Sequence, residues 1–291
     1  MYNKPTKEKV MKKQSNITEK SIKEFQQYLI DDEKAELTIY KYIREINELS
    51  NYLSGKQLSK ERILAYREYL QSKNQVRTVN SKLSAVNSYL EFTCQGHCKV
   101  KLLKIQRCSF TSEERELLEK EYRRLLAIAE EQGNRRLYLL LMTLCATGLR
   151  VSELSFVTIE ALATGRVNIC LKGKNRIVIL PKQLINHLAI YAREKGIQSG
   201  PVFCTRTGRP LDRSNICRDM KKLCSLANVD IRKVFPHNLR HLFARTYYNL
   251  EKNLSHLADI LGHSSIETTR IYVATSAREH EKILNRMQLL S

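Results

Sequence analysis

The sequence predicts a mainly α-helical protein with a helical first domain and a second, mainly helical domain that contains a small β-hairpin. Apolar residues recur at a helical period along most of the chain, whereas two β-rich runs in the second half flank a short turn. A basic stretch without a clear period, "GHCKVKLLKIQRCSFTSEE", separates the two halves. We therefore expect a disordered basic tail at 1–15, a helical domain at 16–98, a linker at 99–112 and the second domain at 113–291.

Four amphipathic segments joined by short connections predict a compact four-helix bundle in the first domain. Thr18 and Ser59 stand directly before two of these segments, where each is suited to cap the first turn of a helix. The apolar stripes contain Ile22, Phe25, Leu29 and Ile30; Ile39, Ile43, Ile46, Leu49 and Leu53; Ile63, Tyr66 and Leu70; and Val79, Leu83, Val86 and Leu90. We expect these stripes to form the core of the bundle.

The second domain is predicted to combine helices with one hairpin. The apolar run "RLYLLLMTLCATG" predicts a helix that ends near Gly148. The strands of the hairpin are predicted at Val167–Leu171 and Arg176–Leu180, on either side of the turn "KGKN". Further helices are predicted at about 182–195, 213–227, 237–250, 254–261 and 265–273, and an amphipathic segment follows at 277–291.

The charge balance favours a polyanionic partner. Lys and Arg number 50 against 30 Asp and Glu, which gives a formal net charge of +20. Each phosphate that a basic protein neutralises releases counterions, so nucleic acid is the expected partner. A protein that is merely basic is the alternative, because charge alone does not separate the two.

No apolar run approaches the length of about 18 residues that a membrane span needs, and no apolar segment follows the basic N-terminus as in a secretory signal. We therefore expect a cytoplasmic protein with reduced cysteines. Cys94, His97 and Cys98 resemble half of a zinc site, but no second pair follows at ligand spacing, so we expect no metal. Cys145 and Cys170 stand in apolar runs and are expected to pack in the core.

The motif "TGLRVSEL" places a cation at an unusual position. A helix is expected to end at Gly148, and Arg150 then falls in the first turn of the next helix, where a positive charge opposes the helix dipole. A bound phosphate would resolve this conflict, and so would an ion pair between Arg150 and Glu153. Both explanations remain open at this point.

Three further positions carry chemistry in other parts of the second domain. In "HNLRHLFA", Pro236 is suited to open a helix that places His237 and Arg240 on one face, although a histidine at a helix start is often a cap or a surface residue. Lys172 stands in the predicted turn, where it is either a solvated surface residue or a proton donor carried into a groove.

The stretch "LGHSSIETTRIY" carries a histidine and a tyrosine in a polar setting. Gly262 fits the C-terminal cap of one helix, and His263 follows it at once. Ser264 and Glu267 form a predicted capping box for the next helix, which carries Tyr272. Apolar neighbours on both sides leave a packing role open for this tyrosine.

The order of these residues resembles the tyrosine recombinase family, also called phage integrases. The motifs "TGLRVSEL", "HNLRHLFA" and "LGHSSIETTRIY" are similar to those of its Xer-like subgroup. The resemblance implies a SAM-like core-binding domain followed by the tyrosine recombinase catalytic fold. The catalytic residues that it implies are Arg150, Lys172, His237, Arg240, His263 and Tyr272, with Glu153 as the supporting acid. Lys174 remains the alternative to Lys172.

The resemblance also implies the reaction. Tyr272 would attack a DNA phosphodiester while Arg150 and Arg240 bind its nonbridging oxygens. Lys172 would protonate the departing 5′-oxygen, and His263 would add a further donor. The covalent 3′-phosphotyrosyl product keeps the step reversible, so a second 5′-hydroxyl can rejoin the strand without any metal or cofactor. His237 is left with two possible roles, as acceptor of the phenolic proton or as donor to the phosphate.

The family's mode of assembly gives the remaining expectations. Its members enclose double-stranded DNA in a C-shaped clamp, and the resemblance implies a homotetramer on two inverted-repeat core sites, with the helix at 277–291 exchanged between protomers. Arg77, Thr78 and Lys82 are expected to face the DNA, against the alternative of a solvated helix face. The absence of an evident additional arm-binding domain favours a Xer-like or small mobile-element enzyme. Integration, excision, inversion and dimer resolution all remain open as its task.

Two other functions have to be distinguished from recombination. A type IB topoisomerase uses a similar set of arginine, lysine, histidine and tyrosine residues to relax supercoils. A catalytically silent DNA-binding regulator could keep the fold without the reaction. The helical first domain and the Xer-like motifs argue against the topoisomerase, and the complete set of residues argues against the regulator.

Overall fold

The computed structural model describes residues 16–105, 115–171, 174–205, 207–263, 265–270, 272 and 285. Over these residues the chain divides into two compact units, which take in residues 1–107 and 108–291. No helix in the described part of the chain has both the length and the apolar character that a membrane crossing requires.

Within residues 16–105, four helices make up the first unit. They are α1 (Glu19–Asp31), α2 (Glu36–Leu53), α3 (Lys60–Lys73) and α4 (Val76–Phe92), and a 3-10 turn follows at Gly96–Cys98. The Thr18 hydroxyl accepts a hydrogen bond from the backbone N–H of Ser21 at 3.1 Å, and Ser59 caps α3 in the same way. The predicted helical bundle and both predicted N-caps are therefore confirmed.

The core of the first unit is formed by most of the predicted apolar stripes, against which Ile22, Ile39 and Ile43 pack partly buried. The predicted place of Ile30 in the core is wrong, because 48% of its surface is exposed. Phe25 on α1 and Tyr89 on α4 are fully buried and meet edge to face, with ring centroids 5.1 Å apart. The Tyr89 hydroxyl lies 2.6 Å from the Ser21 hydroxyl, so the capped start of α1 is bonded directly to α4. The other side chains with no more than 3% exposure include Leu29, Ile46, Leu49, Leu53, Ile63, Tyr66, Leu70, Val79, Leu83, Val86 and Leu90.

The first part of the predicted linker is held against α4. The side-chain amide of Asn87 accepts from the backbone N–H of Val100 at 3.0 Å and donates to its carbonyl at 2.9 Å. Asn80, two turns earlier on the same helix, bonds Leu103 in the same two-way manner at 2.8 and 2.9 Å. The chain is thus fixed on the first unit up to this point, whereas residues 106–114 lie outside the described residues.

The second unit is mainly helical over its described residues. Its helices are α5 (Glu119–Glu131), α6 (Arg135–Thr147), α7 (Ile159–Thr164), α8 (Lys182–Glu194), α9 (Arg213–Lys222), α10 (Pro236–Glu251), α11 (Leu254–Leu261) and α12 (Ile266–Arg270), with a 3-10 helix at Val151–Phe156. The apolar helix α6 packs against α5, α8 and α10 and supplies much of the core. The sequence patterns did not predict α5 or α7. The helix predicted at 213–227 ends at Lys222.

The hairpin consists of β1 (Arg166–Leu171) and β2 (Lys174–Ile179), which pair antiparallel from Arg166 opposite Ile179 to Leu171 opposite Lys174. The predicted four-residue turn "KGKN" is therefore wrong, because Lys174 and Asn175 already belong to β2. The small sheet itself, and with it the predicted fold class, is confirmed.

Strand alternation decides which side of the hairpin is buried. Val167 and Ile169 of β1 face the core, at 0% and 2% exposure. Cys170 follows them and is exposed, so its predicted place in the core is wrong. A side chain next to a buried one in a strand points to the opposite face, and an apolar run alone does not give this phase. Cys145 on α6 does pack against the core, and burial raises the pKa of its thiol to about 12.

Candidate active site

The guanidinium of Arg240 is the centre of the candidate site. Arg240 lies on α10 one turn after Pro236 and has 1% of its surface exposed. It donates to the carbonyl of Gly148 at 2.5 Å and to that of Leu261 at 2.7 Å, while a ring nitrogen of His263 lies 3.0 Å away. These carbonyls belong to the C-terminal ends of α6 and α11, where the negative ends of two helix dipoles favour a cation.

Burial changes the acidity of this arginine. It lowers the pKa of Arg240 to about 10, and the positive charge of Arg150 contributes in the same direction, whereas the Tyr272 side chain acts against the shift. The group stays cationic at neutral pH. Its Nε is buried without a hydrogen-bond partner, so the side chain is not fully satisfied by the protein itself.

Arg150 and Glu153 form the ion pair that the sequence left open. Arg150 directly precedes the 3-10 helix at Val151–Phe156 and does not fall within its first turn, in contrast to the prediction. One oxygen of Glu153 accepts its backbone N–H at 2.7 Å, and the other accepts its guanidinium at 2.9 Å. The side chain of Arg150 remains 38% exposed, so the pairing holds it in place while leaving it accessible to a ligand.

Glu153 is held ionised in a buried place. Desolvation raises its pKa, but the backbone N–H of Arg150 and the charge of Arg176 lower it by more, and the net shift is downward. Arg176 on β2 donates to the same carboxylate at 2.5 Å. Two arginines from different elements therefore share one acid.

The hydrogen bonds around His263 fix its tautomer. Arg240 has only donors, so the His263 Nε2 that it meets at 3.0 Å must accept. The proton then resides on Nδ1, which donates to the Thr269 hydroxyl at 2.8 Å. Burial, followed by the charges of Arg240 and Arg150, lowers the pKa of His263 to about 4. In this arrangement His263 supports Arg240 and is not yet the phosphate donor that the sequence predicts.

Tyr272 is buried between two histidine rings. It has 3% of its surface exposed and lies nearly parallel to the ring of His263, at a centroid distance of 5.7 Å. His241 meets it edge to face at 4.5 Å. Its apolar neighbours in the same buried cluster are Ala244, Leu257 and Leu261. The ring is thus both packed and placed beside the groups that contact Arg240.

His237 lies at the start of α10, on the solvent side of the same group. Its side chain is exposed, and its ring lies 5.2 Å from that of His241. Partial desolvation and the charges of Arg240 and Arg150 lower its pKa, so the neutral form is favoured at pH 7. The structure therefore brings together Arg150, His237, Arg240, His263 and Tyr272, along with the supporting Glu153.

Some predicted positions fall on residues that are not described. Lys172 lies outside the described residues, directly after Leu171 at the end of β1, and Lys174 begins β2. Ser264, the first half of the predicted capping box, also lies outside them. The same holds for the segment at 277–291 except residue 285.

The predicted DNA-facing residues of the first unit share one face of α4. Arg77 and Thr78 are exposed, whereas the Lys82 ammonium is paired with Glu45 and Glu48, each at 2.5 Å. Glu45 has 1% of its surface exposed. A shallow cavity of about 250 Å³ at this face is lined by Lys41, Arg44, Glu45, Arg77, Thr78, Ser81 and Lys82. Lys82 therefore differs from Arg77 in having its charge balanced by the protein.

Two sequence models of known families match the chain. The model described as phage integrase family matches residues 115–279, more than half of the chain, and the model described as phage integrase, N-terminal SAM-like domain matches residues 22–96. The chain belongs to the phage integrase family. The family predicted from the motif order is thereby confirmed, and with it the class of enzyme, tyrosine recombinases that cleave and rejoin DNA strands.

Relatives of this phage integrase are similar over most of their length. The TnP I resolvase of Bacillus thuringiensis is 26% identical over 92% of this chain and 99% of the relative. The tyrosine recombinase XerD of Vibrio cholerae serotype O1 is 26% identical over 86% of this chain and 90% of the relative. The tyrosine recombinase XerA of Pyrococcus furiosus is 25% identical over 96% and 97%.

Solved structures confirm the fold of this phage integrase. A lambda integrase dimer (residues 75–356) bound to a core site aligns with a TM-score of 0.69 at 16% identity, covering 88% of this chain and 94% of that one. The XerH recombinase bound to its difH substrate aligns with a TM-score of 0.69 at 19% identity, covering 92% and 84%. The likeness extends over both units, so the order of a SAM-like unit before a mainly helical unit is that of the family.

Two residues of the site were not singled out by sequence patterns. The contact of His241 with Tyr272 joins residues far apart in the chain, and periodicity carries no sign of it. Arg176 did leave a signal, because it stands in phase with the buried Val178 on β2. A charged residue at an inward position of a strand indicates a buried partner.

Proposed function

We propose that this phage integrase is a site-specific recombinase whose nucleophile is Tyr272. The observation that carries the proposal is the position of this buried tyrosine, which packs against His263 while His263 bonds the guanidinium of Arg240. A tyrosine that only filled a core would not need a cation anchored on two helix ends beside it. The membership of the family supports the same assignment.

In the proposed reaction the Tyr272 oxygen forms a bond to phosphorus, and the bond from phosphorus to the 5′-oxygen breaks. Arg150 and Arg240 bind the nonbridging oxygens, on which negative charge builds up, and each such preorganised donor contributes on the order of 3 kcal/mol to the transition state. The products are a 3′-phosphotyrosyl ester and a 5′-hydroxyl strand end. Attack by a 5′-hydroxyl from a second site reverses the step and exchanges the strands.

Two proton transfers accompany the attack. We propose that the phenolic proton goes to His237, whose lowered pKa favours the neutral form at pH 7, and donation to the phosphate is the alternative role of this residue. The departing 5′-oxygen takes a proton from Lys172, with Lys174 as the alternative in the same hairpin. Protonation of a leaving group by a placed acid is worth roughly 10²–10⁴-fold in rate.

The proposed assembly is a homotetramer on two double-stranded sites with inverted-repeat cores. A lambda integrase tetramer bound to a Holliday junction is among the solved structures that share the fold, which supports this assembly for the present chain. The segment at 277–291 is proposed as the part exchanged between protomers. Because the substrate is cellular DNA, we propose that the protein acts in the cytoplasm.

The biological task that we propose is recombination of a mobile genetic element. One protein of the same fold points in this direction, the Tn1549 transposon integrase, which was solved in complex with transposon right end DNA. Resolution of chromosome dimers is the second candidate, which the resemblance of the motifs to the Xer-like subgroup leaves open. A core site next to the gene itself would support the first task, and a single site elsewhere in the chromosome the second.

Covalent trapping tests the nucleophile. A core site selected from random duplexes is nicked near the cleavage position, so that a short fragment diffuses away and the protein–DNA adduct accumulates. We expect the adduct with the wild-type chain and none with Tyr272→Phe, which keeps the ring. Tyr248→Phe on α10 is the matched control, since that ring packs against the same cluster, and it should retain the adduct. Adduct formation by Tyr272→Phe would show that the nucleophile is another residue.

A relaxation assay distinguishes the rival enzyme. A type IB topoisomerase relaxes any supercoiled plasmid, whereas a site-specific recombinase needs its core site. We expect no relaxation of a plasmid without the site and strand exchange between two duplexes that carry it. Relaxation of the site-free plasmid would favour the topoisomerase, and DNA binding without any adduct would favour the silent regulator.

A further inference from the structure

Arg176 occupies a place where strand geometry calls for an apolar side chain. It lies on β2 opposite Ile169 of β1, which has 2% of its surface exposed, and it is in phase with the buried Val178. Its side chain is only 11% exposed. A buried guanidinium is costly unless it is paired, and a buried ion pair often adds no more stability than apolar residues of the same volume would. The presence of Arg176 at this position therefore indicates a role other than packing.

The two ends of the guanidinium bond two different elements. One nitrogen donates to the carboxylate of Glu153 at 2.5 Å, and this carboxylate also holds Arg150. The other nitrogen donates to the carbonyl of Ile260 in the last turn of α11 at 2.5 Å. Arg176 thus joins the hairpin to the 3-10 helix that follows Arg150 and to the helix end that bonds Arg240.

The stem of Arg176 also packs on the residue before His263. A Cβ atom added to Gly262 would lie 2.4 Å from the Cδ of Arg176 and 3.1 Å from its Nε. The glycine backbone is therefore in close contact with the arginine stem. Gly262 also has a φ of +64°, so glycine is favoured there by its conformation as well as by the space.

We propose that Arg176 is a positioning residue for strand cleavage, which holds the Arg150–Glu153 pair and the Gly262–His263 segment in register with the hairpin. The inference rests on the proposed function of the site. Arg176 touches none of the reacting atoms in this scheme. It acts through Glu153 on one side and through the end of α11 on the other. The hairpin, the 3-10 helix and the end of α11 are thereby held in fixed relative positions.

Single-turnover cleavage of the nicked core site tests the inference. In Arg176→Met we expect the cleavage rate to fall on the order of 10²-fold, the loss typical of a misplacement of about 1 Å. The Kd for the same DNA should change less than about threefold. Arg176→Lys keeps the charge but cannot bond both partners as a fork does, so it should stay impaired by a similar factor. Full rescue by lysine would overturn the proposal, because charge alone would then suffice.

Arg166→Met is the matched control, since Arg166 is an exposed arginine on the other strand of the hairpin. It should cleave at the wild-type rate. Thermal unfolding separates a folding defect from a positioning defect. Arg176→Met removes one partner of a buried ion pair and the donor to the Ile260 carbonyl, while Glu153 keeps both hydrogen bonds from Arg150. We therefore expect the Tm to fall by about 5–15 °C, with the variant still folded at about 25 °C, where cleavage is measured. A wild-type cleavage rate in Arg176→Met would overturn the proposal.

Hydrogen exchange gives a readout that does not depend on cleavage. The backbone N–H groups of Gly262 and His263 donate to the carbonyls of Asp259 and Ala258 in the cap of α11. We expect their exchange to accelerate at least about tenfold in Arg176→Met and Arg176→Lys and to stay unchanged in Arg166→Met. Unchanged exchange in all three variants would overturn the positioning role.

The same measurements separate a failure of the proposed function from a failure of the role of Arg176. If the wild-type chain forms no adduct, the proposed function fails, and the role of Arg176 in cleavage falls with it. If the wild-type chain forms an adduct that Tyr272→Phe abolishes, while the Arg176 variants cleave normally, the function stands and only the inference about Arg176 fails.

Discussion

The guanidinium of Arg240 meets acceptors from three directions, and this geometry is specific to arginine. A lysine ammonium at the same position could not reach the carbonyls of Gly148 and Leu261 and the ring of His263 together. Acceptors left buried without a donor cost about 1–3 kcal/mol each. We therefore expect Arg240→Lys to lose donors that the reaction needs and also to leave buried acceptors without a donor.

We predict that Arg240→Lys lowers the single-turnover cleavage rate on the order of 10²–10³-fold, the usual loss for one preorganised donor. Its free energy of unfolding in urea should fall by about 2 kcal/mol for the reason just given. Arg232→Lys is the control, because Arg232 is 69% exposed and pairs with Asp230 at the surface. A cleavage rate within about threefold of wild type in Arg240→Lys would show that only charge is needed.

The acidity of His241 gives a prediction for pH. Burial, then the charges of His237, Arg245 and Arg240, lower its pKa to about 4 from an ordinary value of about 6.5. The unfolded chain therefore binds a proton at this residue below pH 6.5, whereas the folded chain does so only near pH 4. The contribution to stability is complete above pH 6.5 and is lost as the pH falls towards 4.

From this residue alone we predict a loss of about 2 kcal/mol in the free energy of unfolding between pH 7 and pH 5. His241→Asn should lose less than wild type over the same interval, whatever its stability at pH 7. His187→Asn is the control, as His187 is an exposed residue of α8, and it should lose as much as wild type. Urea unfolding at both pH values measures the difference, and equal losses in wild type and His241→Asn would contradict the prediction.

At the scale of the elements, the end of α6 is fixed by close packing. Gly148 has a φ of +64°, and a Cβ atom there would lie 2.5 Å from the ring of Phe243 on α10. Gly133, after α5, has the same φ but no atom within 4 Å of its added Cβ. The two glycines share the conformational cost of a substitution and differ only in the contact.

We predict that Gly133→Ala costs about 1 kcal/mol of stability, from the left-handed conformation alone. Gly148→Ala should cost about 2 kcal/mol more, because Phe243 has to move. Since the Gly148 carbonyl binds Arg240, only Gly148→Ala should also slow cleavage. Urea unfolding and single-turnover cleavage of both variants check this, and equal costs for the two would mean that the α6–α10 contact is loose.

Local signals in the sequence were enough to predict most elements. Thr18, Ser59, Pro236 and Gly262 each mark a helix end by a preference that acts within a few residues, and all four stand where they were expected. The turn of the hairpin was misjudged, because which residues of "KGKN" join the ladder depends on the register of the pair. Cys170 was misplaced for a related reason, because an apolar run does not show which of its alternate side chains face the core.

The site itself was predicted by resemblance and not by periodicity. The order of Arg150, His237, Arg240, His263 and Tyr272 identified a family, whereas nothing local said that these side chains would meet. Contacts between distant parts of the chain, such as that of Arg176 with the end of α11, depend on tertiary packing. Such contacts follow only once the elements are placed.

For the whole molecule, a net charge of +20 matters through its distribution between free and paired cations. Two residues of the same face of α4 illustrate the difference. Arg77 is exposed, and Lys82 is bound to two carboxylates, one of which belongs to the buried Glu45. To neutralise a phosphate, Lys82 would have to weaken its ion pairs with Glu45 and Glu48. Its charge is therefore already balanced by the protein.

We therefore predict different salt dependences for two alanine variants. The affinity for core-site DNA falls with salt in proportion to the number of phosphates that are neutralised, and each contact contributes about 0.9 to the slope of log K against log salt. Arg77→Ala should reduce this slope by about 1, whereas Lys82→Ala should reduce it by less than half as much. Binding isotherms between 50 and 300 mM salt, about a sixfold range around the physiological value, measure both slopes. Equal reductions of the slope would mean that Glu45 and Glu48 release Lys82 when DNA binds. The paired lysine would then neutralise a phosphate as fully as the exposed Arg77.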